Sequence, residues 1–114
     1  MSYKILNKTK SIVIVKNAKI ADTFFKRLLG FMFRKKIGEE EALIFYNASS
    51  IHMCFMFFLL DIVFLDKDMR VIKVYPNLKP WRFAFCFKAS IVIELPPGKI
   101  SKTNLEIGDV LNII

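Results

Sequence analysis

The chain has 114 residues, the length of one domain, and 54% of them are hydrophobic, against only four Gly and four Pro. A chain this apolar can bury enough surface to offset its conformational entropy, which excludes a disordered or low-complexity protein. Eighteen Lys and Arg against ten Asp and Glu leave a net charge of +8, a surface that draws polyanions and acidic partners.

In chain order, residues 3–7 and 11–16 read as two strands, with Lys8-Thr9-Lys10 as the tight hairpin between them. A short helix follows. Asp22 or Thr23 can cap it, Phe24, Phe25, Leu28 and Leu29 form an apolar stripe at helical spacing, and Gly30 stands where a left-handed C-cap belongs. About two turns long, it needs its apolar face against a sheet to persist. From residue 42 the pattern is β nearly throughout: 42–46, 51–57, 60–65, 70–75, 89–95 and 110–114, with a helical turn near 100–105. Asp66-Lys67-Asp68 turns one strand pair without the Gly that hairpins favour, so positive φ falls on Asp68 or Met69.

The segment 76–88 is the least regular. Pro76 and Pro80 bar it from a central strand, and its aromatic run is either a lid on the core or an exposed lip. The expected fold is mostly β: a compact antiparallel β-barrel-like single domain over 1–114, with one short helix packed against it. Twelve Phe, three Tyr and one Trp predict a bulky aromatic core.

Cys54 and Cys86 lie among aromatic residues and read as buried small hydrophobes, not a disulfide framework. With one His and no CxxC, no metal site and no cofactor is expected. The N-terminus has no signal-like apolar region. The longest apolar run, Met53–Leu60, is too short to cross a bilayer, so no transmembrane segment and a cytoplasmic setting are expected. Fourteen of the eighteen cations are Lys, scattered from Lys4 to Lys102, and no zinc-finger, RNA-binding or basic-zipper pattern accompanies them. Specific nucleic-acid recognition is therefore disfavoured.

Seven blocks in register resemble a bacterial and archaeal family catalogued as domain of unknown function 192. They are Arg27-Leu-Leu-Gly30-Phe-Met32-Phe33-Arg34, Ser50-Ile-His52-x-x-x-Met56, Leu60-Asp61-Ile-Val-Phe64-Leu65-Asp66, Val71-Ile72, Lys79-Pro80-Trp81, Ile93-Glu94-Leu95-Pro96-x-Gly98 and Gly108-Asp109. The resemblance covers about residue 20 to the C-terminus and implies a compact β-barrel-like fold, with no activity attached. The chain departs from the family pattern at Phe57-Phe58-Leu59, in place of Arg-Phe-Pro, and at Met53 and Met69, in place of Thr and Gly. The first departure removes a cation beside Asp61.

Six residues stand out as candidates for a site. On a strand, His52, Cys54 and Met56 share one face, but a direct His52–Cys54 hydrogen bond is awkward two residues apart. Asp61 interrupts an apolar run and must be paired, hydrogen-bonded or exposed. Glu94 sits between Ile93 and Leu95, and Arg27 and Arg34 flank the helix end. The bland reading pairs those arginines with Asp61 or Glu94. The sharper one makes His52, Trp81, Arg27, Arg34, Asp61 and Glu94 the edge of a ligand site, with Trp81, Arg82, Phe83 and Phe85 as an aromatic lip.

The function this supports is a small non-enzymatic binding or accessory module for an anionic ligand or an acidic protein partner. The alternatives are a small hydrolase-like enzyme, using a carboxylate and His52 as acid and base, and a weak non-specific nucleic-acid binder. The hydrolase requires two ionisable groups in one cleft, and nucleic-acid binding requires lysines on one face.

Overall fold

The branched and aromatic runs become strands in the computed structural model, which describes the whole chain apart from the side chains of Phe24 and Phe25. β1 (Tyr3–Asn7) and β2 (Ile12–Ile20) form the expected N-terminal hairpin. After α1 (Phe24–Leu29) come β3 (Glu41–Tyr46), β4 (Ser50–His52), β5 (Leu60–Leu65), β6 (Val71–Leu78), β7 (Phe83–Phe85) and β8 (Ile91–Leu95). A one-turn α2 (Lys99–Lys102) and β9 (Leu111–Ile113) complete the chain.

Seven strands form one curled sheet in the order β6-β5-β8-β3-β2-β1-β9. It curls until its edges meet at the Arg70–Val110 bridge, where Val71 N–H donates to Asp109 O at 2.8 Å and Leu111 N–H to Met69 O at 2.9 Å. The pairing is antiparallel except between β2 and β3, which run parallel because α1 and its flanking loops carry the chain across over 21–40. Pro76 lies in β6, an edge strand of the hydrogen-bonded order, where its missing N–H costs no ladder bond. At the β5–β6 turn, Asp66 Oδ1 accepts from Asp68 N–H (2.9 Å) and Arg70 N–H (3.0 Å), and Met69 takes the positive φ, +66°.

β5 and β8 are buried along their whole length because the sheet is covered on both faces. Ile44, Val63, Leu65, Ile91, Ile93 and Leu95 point into the barrel with Ile5, Val15 and Ile100. Phe45, Leu60, Ile62, Phe64 and Val92 point the other way, against Phe31, Met53, Met56 and Ala84. That second layer is a lobe built on the separate two-stranded sheet β4–β7.

Several expectations change. The strand foreseen over 51–57 stops at His52. Met56 N–H donates back to Met53 O at 3.3 Å and Phe55 adopts φ +60°, a turn that breaks the shared face of His52, Cys54 and Met56. Both cysteines are free and only half-buried. α1 is capped by Thr23 Oγ1, which accepts from Lys26 N–H, and by Gly30 at φ +48°. Leu28 and Leu29 stay 48% and 45% exposed, and the part of the stripe on Phe24 and Phe25 lies outside the described residues. The aromatic core is smaller than the composition suggests. Phe31, Phe45 and Phe64 are buried, whereas Phe33, Phe55, Phe57, Phe83, Phe85 and Phe87 are exposed. The segment 76–88 is a lip, with only Ala84 fully buried. Among the described residues, no helix is long and apolar enough to cross a membrane.

Candidate functional site

Between the outer face of β3–β8 and the β4 lobe lies a cavity of about 100 Å³. Three of the six candidates line it: Arg27 from α1, His52 from β4 and Glu94 from β8. Phe31, Phe45, Ile51 and Met56 are among its apolar walls, and Ser50 and Gly30 also line it.

Strand alternation puts Glu94 there. Its neighbours Ile93 and Leu95 fill the barrel, so Glu94 must face the lobe, beside Val92 and Phe45. Glu94 is 5% exposed, and its Oε1 is buried without a hydrogen-bond partner among the described residues. Removal from water penalises the carboxylate, and no donor compensates it, so burial pushes the Glu94 carboxyl from the ordinary 4.5 up to about 8. At neutral pH the group is therefore a neutral acid, able to donate as well as accept. Gly30 makes room for it: a Cβ at residue 30 would stand 3.3 Å from Glu94 Oε1, at a φ that L-residues rarely adopt.

His52 enters from the lobe. Its Nδ1 accepts the Cys54 N–H at 3.1 Å, which places the proton of the neutral ring on Nε2. Nε2 makes no hydrogen bond among the described residues. His52 meets Cys54 through the backbone, so the geometry builds no thiol–imidazole pair. Arg27 donates to Tyr46 O at 2.6 Å and to Asn47 O at 3.4 Å, fastening α1 to the end of β3. This replaces the expected pairing of Arg27 with Asp61 or Glu94. Because the side chain is exposed and its acceptors are neutral carbonyls, Arg27→Ala is expected to cost only about 1 kcal/mol in urea denaturation.

The other three candidates are elsewhere. Arg34 holds Glu41 through two parallel bonds of 2.8 and 2.9 Å, an ion pair that keeps the Glu41 carboxyl below its ordinary 4.5. Asp61 faces the barrel interior, on the opposite side of the sheet from Glu94, because Asp61 pairs with Leu95 and Ile62 with Glu94. One residue of offset reverses the face, so the two carboxyls cannot act as an acid–base pair. Asp61 instead accepts from Asn77 N–H and Ile100 N–H, both at 2.8 Å. Trp81 is 55% exposed and packs edge-on against Phe55 outside the cavity.

Asp109 of the Gly-Asp block is also scaffold, accepting from Asn7 Nδ2 at 2.7 Å and from Glu106 N–H at 2.9 Å. Among the described residues, no three His, Cys, Asp or Glu side chains converge as a metal site requires. Ser50 and Gly30 were not foreseen as lining residues. The i, i+2 spacing of Ser50 and His52 on one strand was the available signal.

Comparison with known proteins fits this picture. The model of DUF192, described as an uncharacterized ACR family, matches residues 5–113. A "UPF0127 protein" of Thermococcus sibiricus is 42% identical over 113 residues, covering 92% of this chain and 71% of its own. A solved structure of a Novosphingobium aromaticivorans protein of unknown function superposes with a TM-score of 0.83 at 23% identity, over 98% of this chain and 84% of that one. Another from Sinorhizobium meliloti, described provisionally as a transcription regulator, gives the same TM-score at 17% identity, over 97% and 91%. At such identities the two structures speak for the fold alone.

Proposed function

The chain belongs to the DUF192 family, which carries no established activity, so the reading comes from the cavity itself: we propose that this protein is a binding module that takes a small anion against Glu94 and His52. The observation that carries it is the unpartnered Oε1 of a carboxylic acid buried on the wall of a cavity large enough for a ligand. A buried polar atom with no partner is rare and costs about 1–3 kcal/mol. A ligand that donates to or accepts from Glu94 recovers that cost. A volume of about 100 Å³ corresponds to roughly three waters of liquid, so the ligand has only a few non-hydrogen atoms in contact.

The charge argument favours an anion. With Glu94 protonated, Arg27 is the one fixed cation on the lining among the described residues, and Glu94 O–H and His52 Nε2–H are both donors. The chain's single His supplies the probe, since its ring resonances report the cavity directly. Titrating acetate or phosphate at pH 6.5 is expected to shift those resonances saturably. Affinity should then fall up to tenfold per pH unit above about 8, as Glu94 ionises and repels the ligand. Glu94→Gln, neutral at every pH, should bind without that decline. A wild-type affinity that stays flat from pH 7 to pH 9.5 would remove Glu94 from the site.

A second reading rests on the same pair. A carboxylic acid kept protonated near neutral pH and an imidazole on one cavity are the parts of acid–base catalysis, and a hydrolase-like enzyme would use Glu94 as acid and His52 as base. For that the ring must first exchange its tautomer, because Nδ1 already accepts the Cys54 N–H and Nε2 carries the proton. The hydrolase requires turnover of chromogenic esters or glycosides that both Glu94→Gln and His52→Asn abolish. Saturable anion binding with no turnover selects the module.

A further inference from the structure

The lobe that covers the cavity carries an exposed aromatic surface which neither the fold nor the cavity uses. Phe33 stacks on Phe55 with centroids 5.2 Å apart, and Trp81 meets Phe55 edge-on at 4.8 Å. Phe83 and Phe85 project from the exposed side of β7, opposite to buried Ala84, and Phe85 packs against Phe87 at 5.3 Å. Phe87 is 88% exposed and Phe83 68%. Each of the six rings is at least 46% exposed, a large amount of aromatic surface to leave in water.

The backbone also holds them there under strain. Phe33, Phe55 and Trp81 have φ of +66°, +60° and +66°, a conformation unfavourable for bulky side chains. The fold gains little burial in return, and strain retained without a packing reward points to a use outside the fold.

The charges carried on the segments of Phe55 and of residues 81–87 have one sign. The segments that carry five of the six rings, 42–60 and 69–93, contain no Asp or Glu, while Lys79, Arg82 and Lys88 are exposed between and beside the aromatic residues. The sixth, Phe33, stands next to Arg34, whose charge is met by Glu41. Lys73 lies 5.4 Å from the Phe85 ring centre and donates to Phe85 O. Bulky apolar side chains on short projecting segments, interleaved with cations and free of acids, match the chemistry of an anionic bilayer surface. There the rings enter the headgroup boundary and the cations meet lipid phosphates. A single-stranded nucleic acid would need free, parallel ring faces for its bases. Here the Phe55–Trp81 pair is edge-to-face and the Phe85–Phe87 pair tilted, so these rings do not present the parallel faces that successive bases need.

We infer that the face formed by Phe33, Phe55, Trp81, Phe83, Phe85 and Phe87 with Lys79, Arg82 and Lys88 docks this protein on membranes containing anionic lipid. The inference is independent of what the cavity binds, although Ser50, Ile51 and His52 line both the cavity and the groove beside Phe83 and Phe85.

Trp81 is the only tryptophan, so its emission reports the docking face directly. Vesicles of phosphatidylcholine with phosphatidylglycerol should blue-shift that emission and sediment the protein, whereas pure phosphatidylcholine vesicles should do neither. Each cation at a lipid surface strengthens binding about fivefold, so Lys79→Glu/Arg82→Glu/Lys88→Glu should weaken it at least a hundredfold. Phe83→Ser/Phe85→Ser/Phe87→Ser removes exposed rings only; it should keep the far-ultraviolet circular dichroism of the wild type and lose at least tenfold in partition. Absence of a blue shift with anionic vesicles overturns the inference, as does undiminished partition of the Phe-to-Ser variant. Quenching of Trp81 by an oligothymidylate, without vesicle binding, also overturns it and assigns the face to single-stranded nucleic acid.

Discussion

Asp61→Ala is expected to lower the free energy of unfolding by about 2–4 kcal/mol, because the buried carboxylate accepts from two backbone donors, Ile100 N–H fully and Asn77 N–H partly buried. Asp61 has no exposed surface. Its Oδ1 accepts from Asn77 N–H, near the end of β6, and its Oδ2 from Ile100 N–H in α2, each at 2.8 Å. One side chain thus ties three elements together at the end of the barrel. Alanine leaves both N–H groups without an acceptor, and each such group costs about 1–3 kcal/mol in addition to the lost charge-assisted bond. Asp61→Asn separates this from a packing effect: its amide offers one acceptor oxygen where two are needed and turns an NH₂ toward the other donor. It should cost about 1–3 kcal/mol with nearly unchanged volume. Urea denaturation of the three proteins at pH 7 decides the point. A loss below 1 kcal/mol in the alanine variant would mean that water reaches the two amides.

That role was half-legible in the sequence. A charge inside Leu60–Leu65 had to be satisfied, but nothing local says by what. Strands buried on both faces lose the alternation that normally assigns sides, and β5 and β8 are both of that kind. Whether Asp61 and Glu94 share a face depends on the register of β5 against β8, a relation between residues more than thirty positions apart. Strands, the capped helix and the lack of repeats follow from local patterns, and these were readable. Turns marked by no Gly, Asn or charged cluster such as Asp66-Lys67-Asp68 were not. The break after His52 rests on positive φ at Phe55, where an aromatic residue reads as strand; Trp81 has the same conformation in a segment whose sequence leaves lid and lip equally open. His52, Arg27 and Glu94 were picked as residue types that need partners. Only the packing of the lobe on the sheet shows which of the six candidates come together.

Replacing Glu94 should make the protein more stable at neutral and mildly alkaline pH, with a sign that follows from proton linkage. In the unfolded chain the carboxyl releases its proton near the ordinary 4.5, whereas in the folded chain burial holds it until about 8. Below 4.5 both states are protonated and the group makes no difference. As pH rises from 4.5 to about 8 the unfolded state ionises first, so stability drains away through that window and levels off above it. A rise from 4.5 to about 8, at 1.36 kcal/mol per pH unit, is on the order of 5 kcal/mol. Glu41 and Asp109, whose carboxyls are held below their ordinary values, act oppositely and lose stability as pH falls through the acid range. The quantity to measure is therefore the difference between wild type and Glu94→Gln, by urea denaturation at pH 5, 6, 7 and 8. It should widen steadily toward pH 8 in favour of the variant. Glu94→Leu, which also removes the unpartnered oxygen, should gain at least as much. A fold that keeps such a residue forgoes stability for it, which is the expected signature of a group retained for a ligand. The two readouts must then separate: Glu94→Leu gains stability at pH 8 and loses acetate binding. A variant that gained the stability and still bound acetate would leave Glu94 as a buried acid without a task.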